Sequence, residues 1–372
     1  MNTGFSLERA QVRGEESLKL FRLGLVPAAF SQAVYHVLAR EGVEALIILS
    51  PAEKYVCVGY FQNPRASVDV EYCRAKGIPV FRREVGGGAV LLDSGQVFYQ
   101  LVLRSDNPVL PPTVMAMYEK FSWPPVQTYR RFGIPAFHRP VNDIVTGSGR
   151  KISGQGGADI GPCQVFVGNI ILDFDYETMS RALKVPDEKL RDKVYKTMRQ
   201  NLTTMKNELG TLPDREAVED VLVEEFSKLL DPLEESSLPQ GIMPKIHEMG
   251  RWLQSEAFVF ACCSRSRSPV KVREGLFLGR ADVKAPGGLV SVDVTVEEGT
   301  IKELALYGDF TLRPKDSFLE ISRALQGATA DPMVLRGKVE GVYRLRSIES
   351  PGVSPEHIAM AVMKACGKGS TD

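Results

Sequence analysis

Arg82-Arg83-Glu84-Val85-Gly86-Gly87-Gly88-Ala89-Val90 sets the reading of the whole chain: paired arginines run into three consecutive glycines, and the apolar stretch Ala89-Val90-Leu91-Leu92 follows. The pattern reads as a strand, a turn that exposes backbone, and a second strand. Glycine has no Cβ, so several N–H groups can approach an anion closely, and the arginines can offer forked donors to a carboxylate or phosphate. A tight hairpin would use the same glycines, so an anion nest and a plain turn both stay open at this point.

Further along, Asn142-Asp143-Ile144-Val145-Thr146-Gly147-Ser148-Gly149-Arg150-Lys151-Ile152-Ser153-Gly154-Gln155-Gly156-Gly157 sets one lysine between glycine-rich turns. Taken together, the two segments resemble the lipoate-protein ligase branch of the biotin/lipoate protein ligase superfamily, in which an Arg-Arg-triple-Gly loop faces an Asn-Asp and lysine motif. Val58-Gly59-Tyr60-Phe61-Gln62-Asn63 joins the resemblance, which extends more loosely from Leu18 to about Gly210. It implies a class II biotin/lipoate ligase-like catalytic domain with mixed sheets and flanking helices.

With 372 residues the chain can hold two or three domains with ordinary cores. Apolar content of 44% and charged content of 25% are those of a soluble globular protein. The 46 basic and 46 acidic side chains cancel, so bulk charge gives no pull towards nucleic acid or an anionic membrane, and any anion binding must be local. Cysteines 57, 73, 163, 262, 263 and 366 form no Cys-x-x-Cys pair, and four scattered histidines add no finger spacing, which argues against zinc. With no targeting segment or membrane-length apolar run, a reducing cytoplasm is expected, with the cysteines mostly buried as small hydrophobes.

The order of elements is mixed. Helical spacing is expected over Pro27–Arg40, Ser67–Lys76, Tyr176–Leu183, Asp187–Leu209 and Arg215–Leu230, and over Thr113–Phe132 with an interruption at Pro124-Pro125. Strands are expected over Ala45–Ser50, Tyr55–Gly59, Val80–Arg83, Gln96–Leu103 and Val165–Phe174, with a hairpin of Asp143–Thr146 and Lys151–Ser153 about Gly-Ser-Gly. Because strands and helices do not alternate strictly, the fold class is α+β, not doubly wound. A Pro, Ser and Glu-rich stretch near Asp231–Gly241 separates a catalytic domain, 1–235, from a smaller α+β C-terminal accessory domain, 242–372. In the latter, Pro244–Ala257, Ser317–Leu325 and Pro355–Ala365 read as helices, Val270–Arg280 and Val290–Leu306 as strands, and Glu297-Glu298-Gly299-Thr300 as a hairpin turn. Gly308-Asp309-Phe310 resembles the accessory domain of many lipoate ligases.

Joining a carboxylic acid to a lysine amine needs a leaving group on the carboxylate, and ATP supplies one through an acyl-adenylate. The site must neutralise two anions brought together and exclude water. The resemblance gives Lys151 the catalytic role of an electrophilic stabiliser touching the acyl carbonyl and the α-phosphate. It gives Arg82, Arg83, Gly86, Gly87, Gly88 and Ala89 the acyl and phosphate region, with Gly59, Ser153 and Gly154 bordering the same cavity and Asn142 and Asp143 on the nucleotide side. Asp143 is also the candidate ligand for Mg2+. The implied substrates are ATP with lipoate or octanoate, and the implied partner is a lipoyl-acceptor domain presenting a lysine at a hairpin tip. Without the motif, Lys151 reads as a solvated residue at a hairpin end and Asn142-Asp143 as turn formers.

The chain departs from the family at two places: Leu92-Asp93 stands where many ligases carry His-Asp, and Val167-Gly168 where many carry His-Gly. If those positions face the ligand, the pocket is more apolar. Two rival readings follow. One is an ATP-independent octanoyl or lipoyl transferase using Cys163, although Pro140-Val141-Asn142-Asp143 holds no cysteine where one transferase group has its nucleophile. The other is a non-catalytic lipoate-binding protein. A biotin ligase shares the chemistry, but its usual Gly-Arg-Gly loop is less like Arg82–Gly88.

Overall fold

The strands that carry the site are too apolar to face water on either side. β2 (Ala45–Pro51) is buried at all seven positions and β6 (Gln96–Arg104) at eight of nine. Their alternate side chains feed two cores: Leu46 and Ile48 with Tyr99 and Leu101 on one face, Ile47 and Leu49 with Phe98 and Val102 on the other. The computed structural model describes residues 17–185, 190–230, 232–261, 270–273 and 276–367.

In chain order the remaining strands are β1 (Leu18–Val26), β3 (Tyr55–Val58), β4 (Val80–Arg82), β5 (Val90–Leu92), β7 (Ala136–Arg139), β8 (Asp143–Thr146), β9 (Lys151–Ile160), β10 (Cys163–Ile171), β11 (Leu233–Glu235), β12 (Val270–Arg273), β13 (Leu276–Ala285), β14 (Gly288–Glu297) and β15 (Thr300–Gly308). The helices are α1 (Ala28–Arg40), α2 (Pro64–Ser67), α3 (Val70–Ala75), α4 (Val114–Phe121), α5 (Trp123–Arg131), α6 (Tyr176–Ala182), α7 (Arg191–Asn201), α8 (Met205–Leu209), α9 (Arg215–Leu230), α10 (Met243–Leu253), α11 (Glu256–Val259), α12 (Ser317–Leu325), α13 (Pro332–Arg346) and α14 (Pro355–Ala365).

An eight-stranded sheet runs β11-β1-β2-β6-β10-β9-β8-β7, parallel at β11·β1·β2 and antiparallel elsewhere. Helices α4, α5 and α9 cover one face through Phe121, Tyr129 and Phe226, and α1 covers the other through Val34 and Leu38. A small sheet, β4-β3-β5, carries the glycine loop and packs on α3 and α6 through Cys73 and Met179. The accessory unit is the antiparallel sheet β12-β13-β14-β15 backed by α12, α13 and α14. Its β14–β15 turn holds Glu298 at φ 51° and Gly299 at φ 76°, the left-handed pair that a two-residue hairpin needs. The fold is α+β with a small C-terminal domain, as the element order implied.

Several local expectations change. Pro124 and Pro125 do not break a helix: α4 ends at Phe121, and the prolines lie in the first turn of α5, where no N–H is required of them. The single helix expected over Asp187–Leu209 divides, because Leu202 turns to extended backbone and the Thr204 side chain caps α8; its first residues, 187–189, lie outside the described residues, as do Asp231, Cys262 and Cys263. Helix α10, expected to open the second domain, packs Ile246 and Leu253 into the α1 core. β1, β7 and α13 were not foreseen. Among the described residues no helix is long and apolar enough to cross a membrane.

Candidate active site

The last residue of strand β4, Arg82, and the residue after it, Arg83, point in opposite directions. Arg82 is 1% exposed, and its guanidinium donates to the carbonyls of Gly59, Tyr60, Phe258 and Val259 at 2.6–3.2 Å. It ties α11 to the loop after β3 and lies outside the cavity, contrary to its expected ligand role. Arg83 points the other way, donating to the carbonyls of Cys57, Gly86 and Gly88 at 2.8–3.0 Å, and so braces the glycine loop from inside.

The loop is shaped by close backbone approaches. A Cβ on Gly59 would lie 1.9 Å from the Gly87 carbonyl, and one on Gly86 would lie 2.4 Å from the Phe310 carbonyl. Gly87 has φ +91°, which a side chain would strain. Its N–H, expected to face an anion, donates instead to Phe310 O at 3.1 Å. Gly59 and Ala89 do not line the cavity, whereas Arg83, Gly86, Gly87 and Gly88 do.

That cavity, of about 320 Å3, opens between the glycine loop, strands β6, β9 and β10, and helices α6 and α7. Lys151, the first residue of β9, stands at its edge. Its Nζ pairs with Asp143 Oδ1 at 2.7 Å across the β8–β9 hairpin, and Asp143 Oδ2 accepts from Arg139 at 2.8 Å. Burial alone would raise the Asp143 carboxyl, but the Lys151 ammonium and the Arg139 guanidinium outweigh it and hold the acid below the usual carboxylate range. Gly154 lets the lysine fold back, since a Cβ there would sit 3.0 Å from Lys151 Nζ.

Asn142 reaches the cavity and fixes β9 by donating to Gln155 O at 2.7 Å. Ser153 faces away, its hydroxyl donating to Asn169 O at 2.5 Å. Asp143 lies behind Lys151, not on the cavity wall. With both its oxygens held by cations, and no cluster of three or more His, Cys, Asp or Glu suited to a metal among the described residues, the donor set does not fit a protein-built magnesium site. Cys163 lies outside the cavity and is buried, which pushes its thiol up to about 11, the wrong direction for a nucleophile.

The walls are apolar. Leu92 and Val167, the two departures noted in the sequence, both line the cavity beside Val90, Phe98 and Ile171. Sequence reasoning missed Gln96, Asn169, Gln32, Tyr35 and Gln100 on its rim and floor. Phe98 and Gln100 share a face with Gln96 on a strand read as an ordinary core strand, and only the period-two pattern of glutamines there signals a polar lining.

An apolar slot with a tethered ammonium at its edge, on a mixed sheet beside a triple-glycine loop, suits an apolar chain that ends in an anionic group. Residues 25–227 match the family described as lipoyl protein ligase A/B catalytic domain, and residues 277–358 match that of the bacterial lipoate protein ligase C-terminus. The chain belongs to the lipoyl protein ligase A/B family. It is 27% identical over 241 residues to lipoate-protein ligase A subunit 1 of Thermoplasma acidophilum, covering 60% of this chain and 89% of that protein. It is also 28% identical over 194 residues to the octanoyltransferase LipM of Kyrpidia tusciae, covering 46% and 70%. A solved bipartite lipoate protein ligase from Thermoplasma acidophilum, studied with its E2 lipoyl domain, superposes with a TM-score of 0.57 at 25% identity, covering 68% of this chain and 99% of that one.

Proposed function

We propose that the protein is an ATP-dependent lipoate-protein ligase. In the first step the carboxylate of lipoate attacks the α-phosphorus of ATP, and pyrophosphate leaves. In the second the ε-amine of an acceptor lysine attacks the acyl carbonyl, and AMP leaves. The observation that carries this reading is the placement of Lys151: an ammonium fixed by Asp143 at the mouth of an apolar cavity, where a carboxylate and a phosphate would meet. Asn142 is assigned to the nucleotide side, with Arg83 holding the loop amides in place. Magnesium would come in on the nucleotide's phosphates.

The acceptor is proposed to be a small lipoyl-type domain with its lysine at a hairpin tip, in keeping with the E2 lipoyl domain that accompanies the archaeal structure. Cys57, Cys73 and Cys163 are buried free thiols, in keeping with a reaction in the cytoplasm. Because α10 packs with the α1 core, we draw the boundary of the accessory unit after α11.

Incubation with ATP and lipoate followed by mass spectrometry should reveal lipoyl-AMP bound to the protein, and Lys151→Ala should abolish it while leaving the circular dichroism spectrum intact. The similarity to LipM makes ATP-free octanoyl transfer the reading to exclude. It would take over if no adenylate formed and Cys163→Ser stopped transfer, an outcome the burial of that thiol argues against. Binding of lipoate without either reaction would point to a non-catalytic binding protein.

A further inference from the structure

The two halves of the site stand on different sheets. The glycine loop leads into β5 of the three-stranded sheet, Lys151 opens β9 of the eight-stranded one, and no strand ladder joins the two sheets among the described residues. Adenylate formation needs an acyl carboxylate beside the loop and the Lys151 ammonium in register with it, and a misplacement of about 1 Å can cost roughly a hundredfold in rate. The wall between the two halves therefore has to fix their separation.

Two amides in that wall span the gap. Gly154 N donates to Asn169 Oδ1 at 3.2 Å, Asn169 Nδ2 donates to Gln96 Oε1 at 2.7 Å, and Gln96 Nε2 donates to Leu91 O at 3.1 Å. The bonds run from β9 through β10 and β6 to β5. At one end is the glycine over which the lysine folds, since a Cβ on Gly154 would lie 3.0 Å from Lys151 Nζ. At the other is Leu91, in the strand that leads out of the glycine loop. All three bonds point the same way, so turning either amide over would set like groups against each other at both its ends. Gln96 is 1% exposed, and the donor and acceptor of each side chain are already engaged within the protein. We infer that Gln96 and Asn169 are positioning residues, which act on the reaction by holding Lys151 at a set distance from the glycine loop and not by touching substrate.

The inference rests on the ligase reading above, and pyrophosphate exchange by the full chain at varied ATP and lipoate separates the two. Gln96→Met and Asn169→Leu keep the size of each side chain and remove its amide. Each change alone should lower kcat roughly 10- to 100-fold, with KM for both substrates little changed. Breaking one link is enough to release the chain, so the double variant should be no slower than the slower single one, whereas two independent contacts with substrate would multiply their losses. Circular dichroism and the urea midpoint establish that each variant is folded, and either single variant carries the kcat-against-KM test if the other does not fold. Unchanged kcat, a rise in KM alone, or losses that multiply in the double variant would overturn the inference while leaving the ligase reading standing. No exchange by the unaltered protein would remove the ligase reading and this inference with it.

Discussion

Arg82 and Arg83 are adjacent and chemically identical, yet the structure gives them opposite tasks. Strand alternation turns one guanidinium inward among carbonyls and the other along the loop. Sequence alone cannot separate them, because the deciding partners of Arg82, Phe258 and Val259, lie far away in the chain. Arg82→Met would leave several buried carbonyls without a donor. We expect a loss of about 3 kcal/mol or more in urea unfolding, since hydrogen bonds to a charged group contribute roughly 1.5–3 kcal/mol each, with lipoate binding by the remaining folded protein little changed. Loss of ligand affinity at unchanged stability would return Arg82 to the site. For Asp143→Asn the expectation is reversed: the side chain is only partly buried and holds Lys151, so adenylate formation should fall by at least tenfold, measured by pyrophosphate exchange, while the unfolding midpoint moves little.

At the scale of elements, the glycine loop is coupled to α1 through a buried histidine. His36 Nδ1 lies 2.6 Å from Gln32 O, and its Nε2 accepts the Glu84 N–H at 3.2 Å, so both bonds require the neutral ring protonated at Nδ1. Burial pushes its pKa down to about 4, against the upward pull of Glu84. Unfolded, the ring titrates near 6.5 and therefore takes up a proton between those values that the folded ring refuses. The stability it contributes is complete above pH 6.5 and drains away as pH falls towards 4, at up to about 1.4 kcal/mol per pH unit. His36→Gln should flatten that slope in urea unfolding measured at pH 7 and pH 5; identical slopes would assign the acid sensitivity elsewhere. The glycine loop, the lysine hairpin and the helix over Arg215–Leu230 were legible because glycine runs and hydrophobic periodicity are local signals. The division of α7 from α8, the placement of α10 and the cavity floor were not, because each depends on a partner distant in sequence: Leu202 N pairs back to Met198, but Thr203 N is drawn to Lys151 O.

For the whole molecule, the question is what makes catalytic and accessory units one body. Phe61, from the loop after β3, is 2% exposed and belongs to the accessory core, stacked on Phe310 at 5.2 Å and tilted against Phe318 at 5.1 Å. Around it, Gly308 N donates to Phe61 O at 2.8 Å, Lys315 pairs with Glu84 at 2.6 Å and Arg313 with Asp159 at 2.9 Å. The ion pairs set the orientation, but the aromatic cluster contributes most of the binding, because paired charges recover little beyond their desolvation. Phe61→Ala should therefore cost about 3–5 kcal/mol, and amide exchange should accelerate in β14 and β15 well before β2 and β6. Lys315→Ala should have a smaller effect on the same amides. The glycine loop would respond to both, since Gly87 N is held by Phe310 O: loosening the accessory unit frees that amide for a bound anion. If amide exchange in the accessory sheet and at Gly87 were unchanged in Phe61→Ala, the aromatic cluster would not be what joins the two units.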